Sequence, residues 1–164
     1  MNEALKHIRA IVTDVDGVLT DGSITYDSHG IESKTFQVKD GQICGILKRH
    51  GLFMGIITGR YSEMVDRRAK ELGFDFIEQG CKDKASAIRD FAEQYNLDTA
   101  HIAYIGDDIN DLPAFAAAGV SATPADAPEY VKAQADICLN TAGGKGVFRE
   151  FGDLILKAQG LSVI

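Results

Sequence analysis

The sequence predicts an α/β fold built on a doubly wound, Rossmann-like parallel sheet, and three observations favour it. Short, continuously apolar runs, typical of strands buried on both faces, alternate with segments of helical periodicity. Capping residues precede several helical segments and glycines follow them. The chain has 164 residues, 45% of them hydrophobic, and we expect residues 1–164 to form one domain.

The predicted strands are the short apolar runs themselves. They cover residues 8–13, 52–58, 74–77 and 101–105, with weaker candidates at 120–123 and 137–139. The predicted helices lie between and after the strands, at residues 42–50, 63–72, 84–95, 112–118 and 147–158, and Pro128 opens a further short one. Ser62 and Asp83 are suitable N-caps, and Gly51 and Gly73 are suitable terminators.

One segment, residues 20–38, breaks the alternation of strands and helices. Two β-favouring runs at 24–26 and 35–38 flank the turn-like sequence Asp27-Ser28-His29-Gly30, which predicts a β-hairpin directly after the first strand. An isolated two-stranded hairpin is marginally stable in water, so we expect this one to pack against partners. No segment is long enough to form a cap domain over the sheet.

Composition and charge exclude several classes of function. With 17 Lys and Arg against 24 Asp and Glu, the net charge of -7 disfavours non-specific binding to nucleic acids. The apolar runs are far shorter than the ~20 residues that span a bilayer, and residues 1–9 do not resemble a signal peptide. Cys44, Cys81 and Cys138 form no CxxC pair, so we expect free thiols in a reducing cytoplasm.

Polar residues follow the first four predicted strands. They are Asp14 and Asp16 after the first, Thr58 at the end of the second, Lys84 after the third, and Asp107 and Asp108 after the fourth. Ligands of open α/β sheets bind beyond the carboxyl ends of the strands, so the sequence predicts one site at this edge.

The residue types at this edge are suited to phosphoryl transfer. Carboxylates that lie close together repel each other unless a cation separates them, and oxygen ligands without His or Cys favour Mg²⁺. A carboxylate such as Asp14 can attack phosphorus. Asp16, two residues on and pointing the same way, can act as general acid and then as general base.

These residues resemble the motifs of the haloacid dehalogenase superfamily. Asp14-Val15-Asp16-Gly17-Val18 matches the first motif, Thr58 the second, Lys84 the third, and Gly106-Asp107-Asp108 with Asp111 the fourth. The longer strings at residues 13–22, 38–41, 104–108 and 143–150 resemble the 3-deoxy-D-manno-octulosonate 8-phosphate phosphatases, which are small members without a cap domain. The resemblance implies a Mg²⁺-dependent phosphomonoesterase of lipopolysaccharide precursor synthesis that forms an aspartyl-phosphate.

The resemblance also implies roles for individual residues. Asp14 would be the nucleophile and Asp16 the acid and base. The Asp14 carboxylate, the Asp16 main-chain carbonyl and the Asp107 carboxylate would hold Mg²⁺. Thr58 and Lys84 would bind the phosphoryl oxygens. The family forms a homotetramer in which the hairpins pack together and neighbouring subunits roof each active site.

Further residues are candidates for substrate binding. Besides Asp16, Lys84 and Asp108, they are Lys39, Asp40 and Gly41 before the predicted helix 42–50, Arg60 after the Thr58-Gly59 turn, and Arg68 on the apolar face of helix 63–72. We expect Asp40 to be at least an N-cap. The positive charge exceeds what one phosphate needs, which favours a substrate with a carboxylate, such as a 2-keto sugar acid.

Three alternatives stay open. Within the same enzyme class, the substrate is a nine-carbon sialic-acid-type 9-phosphate. Phospho-accepting signalling receiver domains share the topology and the Asp, Thr, Lys and Mg²⁺ set, but their acceptor Asp follows a later strand and lacks a second Asp two residues on. The third is a catalytically silent tetrameric module attached to a sugar-nucleotide synthetase, against which the intact acidic residues and Lys84 argue.

Overall fold

The computed structural model describes residues 2–164, and within them six parallel strands form the central sheet. In chain order the strands of the molecule are β1 (Ala10–Thr13), β2 (Thr25–Tyr26), β3 (Glu32–Ser33), β4 (Phe53–Thr58), β5 (Phe76–Gln79), β6 (Ile102–Ile105), β7 (Val120–Thr123) and β8 (Ile137–Cys138). The order across the sheet is β5-β4-β1-β6-β7-β8, which places β1 and β6 at its centre. The predicted doubly wound parallel sheet is confirmed.

The helices lie before, between and after the strands and cover both faces of the sheet. They are α1 (Asn2–Leu5), α2 (Val38–Arg49), α3 (Glu63–Leu72), α4 (Lys84–Gln94), α5 (Leu112–Ala117), α6 (Glu129–Lys132) and α7 (Val147–Ala158). Alternate residues of a strand point to opposite faces, so Ile11 packs in a core with α2, α3 and α7, and Val12 packs in a second core with α4 and α5. All four residues of β1 are buried, as the apolar run predicts for a central parallel strand.

The hairpin is present, but its second strand differs from the prediction. β2 and β3 pair with Thr25 opposite Ser33 and Tyr26 opposite Glu32, so the run 35–38 is not a strand. The Asp27 carboxylate accepts hydrogen bonds from the backbone N–H groups of His29 and Ile31, and this tight turn places the paired residues directly after it.

Helix α2 begins at Val38, four residues before the predicted start, and this corrects the role of Asp40. The residue at the N-cap position is Gln37, and Asp40 lies in the first turn of the helix. Its carboxylate instead accepts a hydrogen bond of 2.8 Å from the backbone N–H of Arg149, near the start of α7. Residues 38–41 form the first turn of α2, in spite of Gly41. The N–H groups of a first turn have no partner within their own helix, so the Asp40 side chain is not needed as an N-cap.

Strand β5 begins two residues later than predicted, because Phe74 and Asp75 belong to the turn before it. Phe74 is buried in the core, and the Asp75 carboxylate accepts a hydrogen bond from the backbone N–H of Met54. The cysteines are free thiols, as predicted. Among residues 2–164, no helix has both the length and the apolar character required to cross a bilayer.

Candidate active site

The carboxyl ends of β1, β4 and β6 border one open cleft of about 260 Å³. The residues that line it are Asp14, Asp16, Gly22, Thr58, Gly59, Arg60, Asp107, Asp108 and Asn110. Six of these belong to the predicted site, because the rule that places ligands beyond strand ends identified the correct loops. Gly22, Gly59 and Asn110 lie beside the predicted motifs and were not singled out.

Lys84 lies at the first position of α4 and is buried against the floor of the cleft. Its Nζ is 2.9 Å from Oδ2 of Asp14 and donates a hydrogen bond of 2.6 Å to Oδ1 of Asp111. Burial alone would lower the pKa of Lys84, but the two carboxylates more than offset this and raise it above its usual value. The side chain is therefore a fixed positive charge beside Asp14.

Asp111 is fully buried and holds several parts of the site together. Its Oδ1 accepts hydrogen bonds from Lys84 and from the Tyr104 hydroxyl, and its Oδ2 accepts from the backbone N–H groups of Asp107 and Asp108. With both oxygens engaged, Asp111 serves as an anchor for Lys84 and for the loop after β6. Tyr104 was missed, since an aromatic residue in an apolar run carries no sign of a polar partner.

The residues of the cleft fit a hard divalent cation. Asp14, Asp107 and Asp111 each offer a carboxylate oxygen, and these atoms lie within 4.8 Å of one another. Burial and the neighbouring carboxylates raise the pKa of Asp107 to about 8, and the pKa of Asp14 is raised to about 6 chiefly by burial. Because Asp111 is saturated by its donors, Asp14 and Asp107 are the carboxylates that could bind Mg²⁺.

Gly17 allows the loop after β1 to lie against Asp107. Its φ is +87°, and a Cβ at this position would lie 1.9 Å from Oδ2 of Asp107. Any other residue would displace the Asp107 carboxylate or the loop that carries Asp14 and Asp16. The glycine of the first motif is therefore part of the geometry of the predicted metal site.

Two hairpin residues reach the cleft and were not predicted. The Lys34 ammonium pairs with the Asp16 carboxylate, and the Glu32 carboxylate lies 2.9 Å from the Arg60 guanidinium. Neither residue is near its partner in the sequence, so no local pattern could have identified them. Because Lys34 and Glu32 carry opposite charges, they leave the surplus of positive charge at this cleft unchanged, but Arg60 already has a carboxylate beside it.

Four candidate substrate-binding residues lie outside this cleft. Lys39 borders a separate surface cleft beside α7. Asp40 and Arg68 line an internal cavity of about 10 Å³ between α2 and α3, and a Cβ on Gly41 would lie 2.9 Å from Nη2 of Arg68. A substrate-binding role for these residues stays a prediction, and it requires that they contact substrate held by another subunit.

Comparison with known proteins agrees with this geometry. The family model described as haloacid dehalogenase-like hydrolase matches residues 34–119. A protein of Haemophilus influenzae, 3-deoxy-D-manno-octulosonate 8-phosphate phosphatase KdsC, is 44% identical over all of this chain and 91% of its own length. The chain belongs to the haloacid dehalogenase-like hydrolases.

Other members of this hydrolase family resemble the chain over most of its length. The KdsC phosphatase of Escherichia coli (strain K12) is 38% identical over 94% of this chain and 82% of its own. A crystal structure of the 3-deoxy-D-manno-octulosonate 8-phosphate phosphatase from Moraxella catarrhalis, in complex with a magnesium ion, a phosphate ion and a KDO molecule, has a TM-score of 0.94 and 45% identity. It covers 97% of this chain and 91% of its own.

Membership of the haloacid dehalogenase-like hydrolases argues against the receiver-domain alternative. A receiver domain would carry its acceptor aspartate after a later strand, whereas Asp14 and Asp16 follow β1 in this hydrolase. The arrangement of Asp14 beside Lys84, with Asp107 facing it, suits covalent transfer of a phosphoryl group to a carboxylate.

Proposed function

We propose that this hydrolase is a Mg²⁺-dependent phosphatase that converts 3-deoxy-D-manno-octulosonate 8-phosphate to the free sugar acid and phosphate, in lipopolysaccharide precursor synthesis. The observation that carries the proposal is the cleft in which Asp14 lies 2.9 Å from the buried ammonium of Lys84 and faces Asp107. The KdsC relatives are named for 3-deoxy-D-manno-octulosonate 8-phosphate, which supports the choice of sugar acid. We further propose that residues 1–164 form one catalytic domain that acts in the cytoplasm.

The proposed reaction has two steps. Asp14 attacks phosphorus and forms an aspartyl-phosphate, while the bond from phosphorus to the sugar oxygen breaks and Asp16 gives its proton to that oxygen. Asp16 then accepts a proton from water, which attacks the same phosphorus and releases phosphate from Asp14. Oδ1 of Asp14 is held by the backbone N–H of Val15 at 2.7 Å, which fixes the orientation of the carboxylate.

Positive charge at the cleft would be supplied by Lys84 and by Mg²⁺. The carboxylates of Asp14 and Asp107 and the main-chain carbonyl of Asp16 would hold the ion, which when bound offsets the repulsion between these carboxylates and the phosphate. Thr58, buried at the end of β4, and Lys84 would bind the phosphoryl oxygens.

The sugar acid would be bound by residues at and beyond the rim of the cleft. Arg60 is our candidate for its carboxylate, because a planar guanidinium can bind a carboxylate through two hydrogen bonds. Asp108 lines the same cleft and could accept hydrogen bonds from sugar hydroxyls. Lys39, Asp40, Gly41 and Arg68 would contribute only from a neighbouring subunit.

We also propose a homotetramer built on the hairpins. Ile24, Tyr26 and Ile31 of the hairpin are 54%, 58% and 65% exposed, an apolar surface that a two-stranded hairpin does not bury by itself. Light scattering at micromolar concentration tests this, and a monomer of 17.7 kDa would contradict it.

A phosphate-release screen with Mg²⁺ tests the proposed activity. We expect 3-deoxy-D-manno-octulosonate 8-phosphate to have a higher kcat/KM than the nine-carbon sialic-acid-type 9-phosphate and than neutral sugar phosphates of similar size. Asp14→Asn is the control, because the amide cannot attack phosphorus. Preference for the nine-carbon substrate would support the alternative, and no turnover of any sugar phosphate would support the catalytically silent module.

A further inference from the structure

A closed ring of four charges of alternating sign joins the hairpin to the cleft. Lys34 pairs with Oδ1 of Asp16 and lies 3.6 Å from Oε1 of Glu32. Nη1 of Arg60 lies 2.9 Å from the same Oε1 of Glu32 and 3.7 Å from Oδ2 of Asp16. Two members of the ring thus come from the hairpin and two from the cleft, and their formal charges cancel.

The alternation of the hairpin backbone directs these two side chains inward. In an extended segment residues two apart lie on the same face. Glu32, Lys34 and Phe36 are half-buried, whereas the residues that alternate with them, 31, 33 and 35, are exposed. One face of the segment therefore carries a carboxylate and an ammonium toward the cleft, and its opposite face is free for other contacts.

The side chains of the ring are shielded from water to different degrees, which affects how strongly their charges interact. The Lys34 side chain is 1% exposed, that of Glu32 15% and that of Arg60 38%. An isolated buried charge is costly, so Lys34 in particular depends on the carboxylates of Asp16 and Glu32. Charges in such a partly buried cluster interact more strongly than an exposed pair in water.

Arg60 is the member of the ring whose position decides what the cleft can bind. An arginine side chain has many rotamers, and fixing it on a ligand costs conformational entropy when the side chain is free beforehand. Here Nη1 already lies 2.9 Å from Oε1 of Glu32 as an ion pair, while Arg60 still lines the cleft. A guanidinium held in place before the ligand arrives loses less entropy on binding.

We propose that Glu32 positions Arg60 for an anionic group of the substrate other than the phosphate. Glu32 does not contact the substrate itself; it fixes one end of the guanidinium so that the rest of the group is presented to the cleft. This inference rests on the proposed function, in which Arg60 binds the carboxylate of a sugar acid.

The first test compares two substrates in Glu32→Gln, which keeps the shape of the side chain and removes its charge. We expect KM for 3-deoxy-D-manno-octulosonate 8-phosphate to rise about threefold to tenfold more than KM for 4-nitrophenyl phosphate, which has no carboxylate. The ratio of the two kcat values should change much less. A role limited to stability would move both substrates alike.

Arg60→Ala and the double variant separate failure of this inference from failure of the proposed function. Arg60→Ala should produce at least the same change in the KM ratio, and Glu32→Gln should add nothing to it. If Arg60→Ala leaves the ratio unchanged, the carboxylate contact of the proposed function is wrong and this inference falls with it. If Arg60→Ala changes the ratio and Glu32→Gln does not, only the positioning role of Glu32 is overturned.

A surface pair provides the matched control. Glu129 lies 2.9 Å from Lys132 within α6, and its side chain is 90% exposed. Glu129→Gln removes the same charge from an ordinary helical pair, and we expect the KM ratio to keep its wild-type value. An equal change in Glu129→Gln would mean that net charge, not the position of Arg60, controls the ratio, and would overturn the proposal.

Discussion

At the residue scale, Tyr104 is completely buried, yet its hydroxyl makes a hydrogen bond to a carboxylate. Burial, with the Asp111 carboxylate adding to it, raises the pKa of Tyr104 well above its usual value, so the hydroxyl keeps its proton. The hydroxyl donates a hydrogen bond of 2.6 Å to Oδ1 of Asp111. Lys84 donates to the same carboxylate oxygen, so this core residue helps to fix the position of Lys84 beside the cleft.

Tyr104→Phe tests the strength of this support. The change leaves the ring in place and removes one donor from a buried carboxylate, so we expect a loss of about 1.5–3 kcal/mol in the free energy of unfolding. Tyr95→Phe is the control, because the Tyr95 hydroxyl donates to an uncharged acceptor, the carbonyl of Asp75. Urea unfolding measures both variants, and an equal loss in the two would contradict the special role of Tyr104.

At the element scale, Asp40 links the start of α2 to the start of α7. Burial raises its pKa to about 6, against 3.8 for an ordinary Asp, although the Arg149 N–H and Arg68 oppose the rise. Between these values the folded protein binds more protons than the unfolded chain. The stability that Asp40 contributes is therefore fully present below the lower value and is lost as the pH rises through the higher one.

Asp40→Asn should remove this dependence on pH. The amide oxygen can still accept the Arg149 N–H, but the side chain does not ionise. Relative to the wild type, the free energy of unfolding of the variant should rise by on the order of 3 kcal/mol between about pH 4 and about pH 7. Urea unfolding at a series of pH values measures this difference, and parallel curves for the two proteins would contradict it.

A second contact between elements involves the Gly143–Gly146 loop before α7. Gly143 packs so closely against the loop after β1 that a Cβ on it would lie 2.0 Å from the carbonyl oxygen of Gly17. Gly144 donates a hydrogen bond of 2.8 Å to the carbonyl of Val18. The Gly143–Gly146 loop is therefore packed against the loop after β1.

Gly143→Ala should displace the loop that carries Asp14 and Asp16. We expect a loss of about 1–3 kcal/mol in stability, as for other overpacked sites, together with a lower kcat for 4-nitrophenyl phosphate. Gly45→Ala in α2 is the control, since its Cβ would meet no atom within 4 Å, and it should stabilise the protein by about 0.5–1 kcal/mol. An unchanged kcat in Gly143→Ala would show that the loop does not position the site.

At the scale of the whole molecule, the cleft concentrates negative charge in a chain whose net charge is -7. Removal of divalent ions with EDTA should stop phosphate release, and Mg²⁺ should restore it. Mg²⁺ should also raise Tm, because it relieves the repulsion between Asp14 and Asp107. Asp107→Asn should show a smaller rise in Tm, and full activity in metal-free buffer would contradict the proposed dependence on Mg²⁺.

Much of the architecture was predictable because its signals are local. Helix α7 was predicted at its observed bounds, since a glycine precedes a clearly amphipathic segment. The start of α2 was not predicted correctly. The contact of Asp40 with Arg149 was not predicted either, because Arg149 lies more than one hundred residues after Asp40 in the sequence. Lys34 and Glu32 were not predicted either, because their partners Asp16 and Arg60 lie outside the hairpin, one before it and one after it in the sequence.

The contact between Gly143 and Gly17 has a consequence for the time at which the protein becomes active. The loop that carries Asp14 and Asp16 precedes β4 and β6 in the sequence, whereas the segment around Gly143 that packs against it follows both strands, and α7 follows that segment. A nascent chain can thus assemble β1, β4 and β6 before the segment that supports its catalytic loop has been synthesised.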